Sequence, residues 1–198
     1  MDAQTRRRAP EATRAEIIDM AIEVAADQGA MGLTLDAVVA RLPFSKGALL
    51  HHFPTKQALL EGVVDQLANE MTAAILAEAA RDPNPYGRNA RAYLRATVNE
   101  PVTERDVSIG RAILATCAVE PALIGRWRAA MRTLAEDDPT DMAGKDDALM
   151  LRLIADGLWM SDLFGTHEVS PEQRRALLSL LTPGSILTEA QNELEGVE

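Results

Sequence analysis

A single cysteine, Cys117, in 198 residues leaves no internal partner for a disulfide, so a cystine framework is excluded and a reducing cytoplasm is the expected setting. Aromatics are scarce as well, with two Trp, two Tyr and three Phe, and β-branched runs are rare. Alanine, leucine, arginine, glutamate and methionine dominate instead, which disfavours sheets and favours helices. No apolar run approaches the roughly 20 residues of a membrane helix. The basic start, Met1 to Glu16, leads into Ile17-Ile18-Asp19 and not into an apolar leader core. Catalytic signatures are missing too: there is no Gly-x-Ser-x-Gly elbow, no phosphate loop and no Gly-x-Gly-x-x-Gly. An enzyme is not expected, nor a cofactor. Metal is not expected either, because adjacent His51 and His52 diverge by ~100° on a helix and no zinc spacing surrounds His167 or Cys117.

What is present is a chain that is 47% hydrophobic and 25% charged, enough for a real core in one or two small domains. The formal charge of −10 argues against nucleic acid until it is divided along the chain. Residues 1–60 carry seven Lys/Arg against seven Asp/Glu, and residues 61–198 carry thirteen against twenty-three. DNA could therefore meet the N-terminal end while the acidic remainder stays away from phosphates.

The punctuation predicts an all-α fold of about nine helices. A Thr13-x-x-Glu16 capping box opens the first, with Ile17, Met20, Ala21, Val24 and Ala25 at helical spacing and Gly29 as its stop. Thr34 caps a second over Leu35–Leu42, ended by Pro43, and Ser45 caps a third over Lys46–His52. A long helix follows Pro54-Thr55 to about Arg81. Breaks at Asp82-Pro83-Asn84-Pro85, Glu100-Pro101, Glu120-Pro121 and Asp137-Asp138-Pro139 separate helices near 86–99, 103–119, 122–136 and 142–166. A second capping box, Ser170-Pro171-Glu172-Gln173, starts a last helix that ends at Thr182-Pro183-Gly184. The expected domains are a basic arm (1–12), a three-helix helix-turn-helix domain (13–55), a helical dimerisation and effector domain (56–184, with 56–81 as connecting helix) and an acidic tail (185–198).

Residues 34–53 carry the functional argument. Two short helices joined by a tight turn can lay the second in a major groove. Leu35, Val38, Val39, Leu49 and Phe53 should face a core, leaving Lys46, Gly47, Leu50 and His51 outward. The helix N-termini at Thr34 and Ser45 suit phosphates, and Lys46 reaches a phosphate or a guanine edge. Gly47 permits close approach of backbone, Ala48 fits a thymine methyl if it faces out, and His51 and Lys56 flank with phosphate contacts.

The stretch from Ser45 through Lys46-Gly47-Ala48-Leu49-Leu50-His51-His52-Phe53-Pro54-Thr55-Lys56 to Leu59 resembles the signature of the tetracycline-repressor (TetR) family of bacterial transcriptional regulators, with a looser likeness over 13–75. The resemblance implies a homodimer on a palindromic operator and a small-molecule pocket in the C-terminal domain. Two departures stand out. The turn reads Leu42-Pro43-Phe44 where the family has Ala-Gly-Val, and Leu50 replaces a tyrosine, losing a hydroxyl worth about 0.5–1.5 kcal/mol.

Outside this stretch, each striking residue has an ordinary reading beside the sharper one. Arg6-Arg7-Arg8 is a minor-groove arm or a solvated basic tail. Cys117 is a redox sensor or a small core residue. Arg152 and Asp156, four apart, form an ion pair or anchor a polar ligand. Met71, Trp127, Met131, Met150 and Trp159 line a pocket for an apolar effector or are core packing. Residues 148–164 hold twelve apolar side chains, more than one buried face requires, so Leu158, Leu163, Leu177, Leu178 and Leu181 are assigned to a twofold four-helix interface with Gly157 allowing close approach. In the long helix, Leu59, Leu60 and Val63 should pack on helices one and three, and Leu67, Met71 and Ile75 should face the sensing domain. The function expected is a ligand-controlled DNA-binding regulator, a repressor. Its rival is a helical carrier with no DNA role, which heparin retention would distinguish.

Overall fold

The structure, a computed structural model, describes residues 10–99, 102–138 and 142–181. The basic Arg6–Arg8 run and the acidic tail from 185 lie outside them. Among the described residues the chain forms nine α-helices and no strand. They are α1 (Pro10–Gly32), α2 (Leu35–Val39), α3 (Lys46–His52), α4 (Lys56–Ala79), α5 (Arg88–Asn99), α6 (Glu104–Val119), α7 (Pro121–Glu136), α8 (Met142–Phe164) and α9 (Pro171–Leu177), the last running into a 3-10 turn at Leu178–Leu181. No single helix among them is long and apolar enough to cross a membrane.

Side-chain caps set most helix starts. The Thr34 hydroxyl accepts from the Ala37 amide, Ser45 from Ala48 and Thr55 from Ala58. Thr103 with Asp106, and Ser170 with Gln173, form reciprocal capping boxes. The Thr13–Glu16 box is not a cap: it lies inside α1, which already includes Pro10. Gly29 interrupts α1 at φ 69°, the left-handed conformation that suits glycine. Helix α2 stops at Val39, short of Leu42, because the Arg41 and Leu42 amides turn back onto the Val38 and Val39 carbonyls in 3-10 fashion.

The chain divides into two compact units. The first comprises residues up to Asn69 together with Thr103–Ala129, so α6 and the start of α7 pack with the N-terminal helices. Its core joins Ile17, Ile18, Ala21 and Val24 of α1 to Val38, Leu49, Phe53, Leu59, Val63 and Ile113. Leu67 packs on this core, whereas the sequence reading turned it to the sensing domain; only Met71 and Ile75 belong to the second unit. Phe53 is held from two sides. The Arg14 guanidinium lies 5.1 Å above its ring, and Gly62 of α4 approaches so closely that an added Cβ would sit 2.8 Å from the ring edge. Polar ties close the rim. Arg126 donates to Glu61 and Asp65, each at 2.7 Å, Gln66 donates to Asp19, and Arg105 pairs with Glu23.

The second unit runs from Glu70 to Val102 and resumes at Ala130. Helix α5 serves two apolar clusters: Ala92 meets Ile75, Ala79 and Leu134, while Ala90, Leu94 and Val98 meet Ala148, Leu151, Ala155 and Leu158. Its N-terminus is capped from far away in sequence, since the buried Asp138 carboxylate accepts from the Asn89 and Ala90 amides at 3.1 and 3.0 Å. Asp82 receives both Arg91 and Arg95, and Arg91 also donates to the Asn84 and Tyr86 carbonyls, tying down the 82–87 loop. The Arg91 hydrogen bond, with help from Arg95 and against the cost of burial, holds the Asp82 carboxyl well below the usual carboxylate range.

Candidate functional site

Helices α2 and α3 and the turn between them form a helix-turn-helix on the first unit. Its inner face is as the sequence pattern requires: Val38, Leu49 and Phe53 are buried, with Leu35, Val39, Leu42 and Phe44 packed against them. The outer face presents Thr34, Ser45, Lys46, Gly47, Leu50, His51 and Lys56, all exposed. Ala48 is half-buried, so its methyl is only partly available. The Leu42-Pro43-Phe44 turn is built without any left-handed residue, and Leu42 and Phe44 anchor it by packing inward.

The capping geometry leaves chemistry to spare. The Thr34 and Ser45 oxygens accept from their own helices, so each hydroxyl hydrogen remains a donor for an incoming acceptor. Gly47 is not required by the fold: a Cβ there would meet only Ser45 Oγ, at an ordinary 3.8 Å, and its φ is not positive. Lys46 holds a partner that sequence reasoning missed, because its Nζ lies 2.5 Å from Asp36 Oδ1 in the first turn of α2. The signal was available in retrospect, as an acid near the first turn of one helix and a lysine at the start of the next converge across a tight turn. The His51 and His52 rings meet edge to face, 5.4 Å apart. Cys117 is buried in the core, and burial pushes its thiol above the ordinary range.

The five side chains assigned to an effector pocket fall in different local surroundings. Trp127 packs on the core of the first unit, while Met71 and Met131 pack beside Ile75 and Leu134 in the second; Met150 and Trp159 are half-buried on α8 and belong to neither cluster. Within the second unit a cavity of about 60 Å³ is lined by Met131 and Leu134, but also by Asn89, Tyr93, Arg152 and Asp156. Arg152 and Asp156 do not pair with each other. Arg152 donates to Asp138 at 3.1 Å, and Asp156 accepts from the Tyr93 hydroxyl at 2.7 Å. Burial, reinforced by that hydrogen bond, raises the Tyr93 phenol far above its ordinary value and keeps it a neutral donor.

The interface assignment also needs correction. Leu158 and Leu163 are buried within the chain, Leu177 and Leu178 pack partly against the α5–α8 cluster, and the Leu181 side chain is outside the described residues. Among the described side chains, the large apolar ones that α8 leaves on the surface are Leu149, Leu153, Met160 and Phe164, 39–58% exposed. At 3.6 residues per turn they share one face with Gly157.

Family models match both parts of the chain: residues 17–63 match "Bacterial regulatory proteins, tetR family", and residues 87–183 match "Tetracyclin repressor-like, C-terminal domain". No curated protein matches the sequence. Among solved structures, a TetR-family member from Streptomyces coelicolor A3 is 25% identical, with 86% of this chain and 98% of that chain covered and a TM-score of 0.62. The multidrug binding protein EbrR, complexed with imidazole, is 25% identical over 91% and 95% of the two chains with a TM-score of 0.63, and a transcriptional regulator from Rhodococcus sp. Rha1 shares the fold at 22% identity, 89% and 97% coverage and a TM-score of 0.64. With the helix-turn-helix, the all-α build and both family matches in hand, the chain belongs to the TetR family of bacterial transcriptional regulators.

Proposed function

We propose that the protein is a homodimeric repressor, acting in the cytoplasm, that binds a palindromic operator through α3 and is released or retained by a small-molecule effector bound in its second unit. The observation that carries the DNA reading is Gly47. Neither backbone conformation nor packing within the chain demands a glycine there, and it stands between Lys46 and Leu50 on an exposed face with two hydroxyl donors beside it. A partner that comes close enough to exclude a side chain accounts for it. The exposed α8 stripe of Leu149, Leu153, Gly157, Met160 and Phe164 supports twofold pairing, as an apolar surface left open to solvent on one chain.

Effector control is supported by membership and by continuity. EbrR, a fold relative, has been crystallised with imidazole and with malachite green. Helices α4 and α7 each contribute residues to both units, so a ligand in the second unit has covalent routes to the first. It shifts the DNA equilibrium only by its differential affinity for the two arrangements, for which coupling of about 1–3 kcal/mol is the ordinary range. The effector expected from the sequence is a small apolar one, and a cavity in the second unit is polar on one side. The test is to select genomic fragments with the purified protein, sequence them and titrate the enriched fragment by gel shift. A twofold-symmetric consensus with half-sites about 34–36 Å apart is the expected result; no enrichment over bulk DNA would end the proposal.

A further inference from the structure

Leu50 is the one large apolar side chain of residues 34–53 that the core of the first unit leaves out. Every other one, from Leu35 of α2 to Phe53 at the end of α3, is buried in that core or packed against it. Leu50 instead lies 36% exposed on the outer face of α3. Its neighbours on that face are Gly47, three residues earlier, and Lys46, four earlier, both exposed. The space over Gly47 is open, since an added Cβ would touch only Ser45 Oγ, at 3.8 Å. A partner surface can therefore come up to the α3 backbone there, and the Leu50 side chain stands one turn on, beside that opening.

The chemistry of DNA leaves such a side chain few places. Leu50 has no donor, so against a phosphate it would strip water from an anion and return nothing. The acceptors of guanine and the mixed edge of adenine gain nothing from it either. The major groove presents one apolar group, the 5-methyl of thymine, and apolar side chains are the ones that contact it. Ala48, assigned that contact from the sequence, is half-buried.

We infer that Leu50 reads a thymine 5-methyl group in each half-site of the operator, selecting T·A over C·G at that position by packing and not by hydrogen bonding. This rests on the reading of α3 as the operator-binding element and names one base that it selects.

The experiment uses the full-length protein and the fragment it enriches from genomic DNA. Each thymine of one half-site, and then of both, is replaced by uracil, which keeps the hydrogen-bonding edges and removes only the methyl. Anisotropy titration should find a thymine whose replacement weakens binding about fourfold in one half-site, the worth of one buried methyl, and roughly fifteenfold in both. Leu50→Ala should bind the thymine fragment at least about fourfold more weakly than wild type does, and should lose the preference for thymine over uracil at that position. Because Leu50 is exposed, the variant should keep wild-type helicity and melting temperature, which separates lost contact from lost fold. A fragment bound equally well with uracil at every position would overturn the assignment while the DNA reading stands. So would a thymine preference that Leu50→Ala leaves intact, because another group then reads the methyl. Failure to enrich any fragment ends both readings.

Discussion

In the proposed complex Lys46 would meet DNA only by giving up Asp36, since one ammonium cannot hold a carboxylate at 2.5 Å and a phosphate at full strength together. Both partners are more than half exposed, so the pair is worth at most about 0.2–1 kcal/mol and exchange is easy. Lys46→Ala should weaken binding and lower the salt slope by about one per protomer, and Asp36→Asn should strengthen binding a few-fold by removing the competing anion. Anisotropy titrations at several salt concentrations measure both; equal slopes for Lys46→Ala and wild type would remove Lys46 from the phosphate contacts. Gly62 makes a second residue-scale case, on stability. Alanine there gains about 1 kcal/mol of helix propensity but drives a methyl into the Phe53 ring, an overpacking cost of about 1–3 kcal/mol. Gly62→Ala should be net destabilising, by up to about 2 kcal/mol in urea unfolding, against the ordinary effect of glycine-to-alanine changes in a helix.

At the scale of elements, what was legible in the sequence was what is local. Ser45 and Ser170 announce their helices because a cap needs only residues three apart, and the Lys46–His52 helix falls where its cap and Phe53 place it. The start of α5 was not legible, because Asp138 caps it across 48 and 49 residues and no local pattern encodes that. Leu158 was misplaced for a related reason: a helix apolar on more than one face does not say which side its own domain covers, and only the partner α5 decides it. The 82–87 loop offers a pH test of the same long-range kind. Arg91 and Arg95 depress the Asp82 carboxyl in the folded chain, so the folded state binds that proton less readily than the unfolded one. The stability this gives is complete above about pH 5, beyond the unfolded carboxylate value near 3.9, and drains away as pH falls toward the depressed folded value. Asp82→Asn should lose about 3 kcal/mol at pH 7, because it leaves the buried Arg91 charge with carbonyl partners but no carboxylate, and its stability should fall less steeply than wild type between about pH 5 and 3. Parallel acid profiles for the two proteins would show that Asp82 is not the titrating group.

At the scale of the whole molecule, the charge sets the terms of DNA binding. Each chain carries −10, so the proposed dimer would approach DNA with a net repulsion that only the locally neutral first sixty residues escape. A single helix-turn-helix with Lys46 and Lys56 among its exposed cations has few phosphates to neutralise, so in the proposed complex useful affinity comes from two such faces acting together. Once one half-site is held, the second binds at an effective concentration near millimolar, which multiplies a weak contact by roughly 10²–10⁴. The α8 stripe should therefore matter to DNA more than any residue that touches it. Leu153 is 58% exposed, so glutamate there costs the folded monomer little while burying a charge in a twofold interface. Leu153→Glu should sediment as a monomer at micromolar concentration with wild-type helicity, and should lose at least about a hundredfold in affinity for the selected fragment, more than Lys46→Ala loses. If it remains dimeric, α8 does not present the interface. If it is monomeric and binds as tightly as wild type, the DNA site is complete in one chain and the palindrome is not its target.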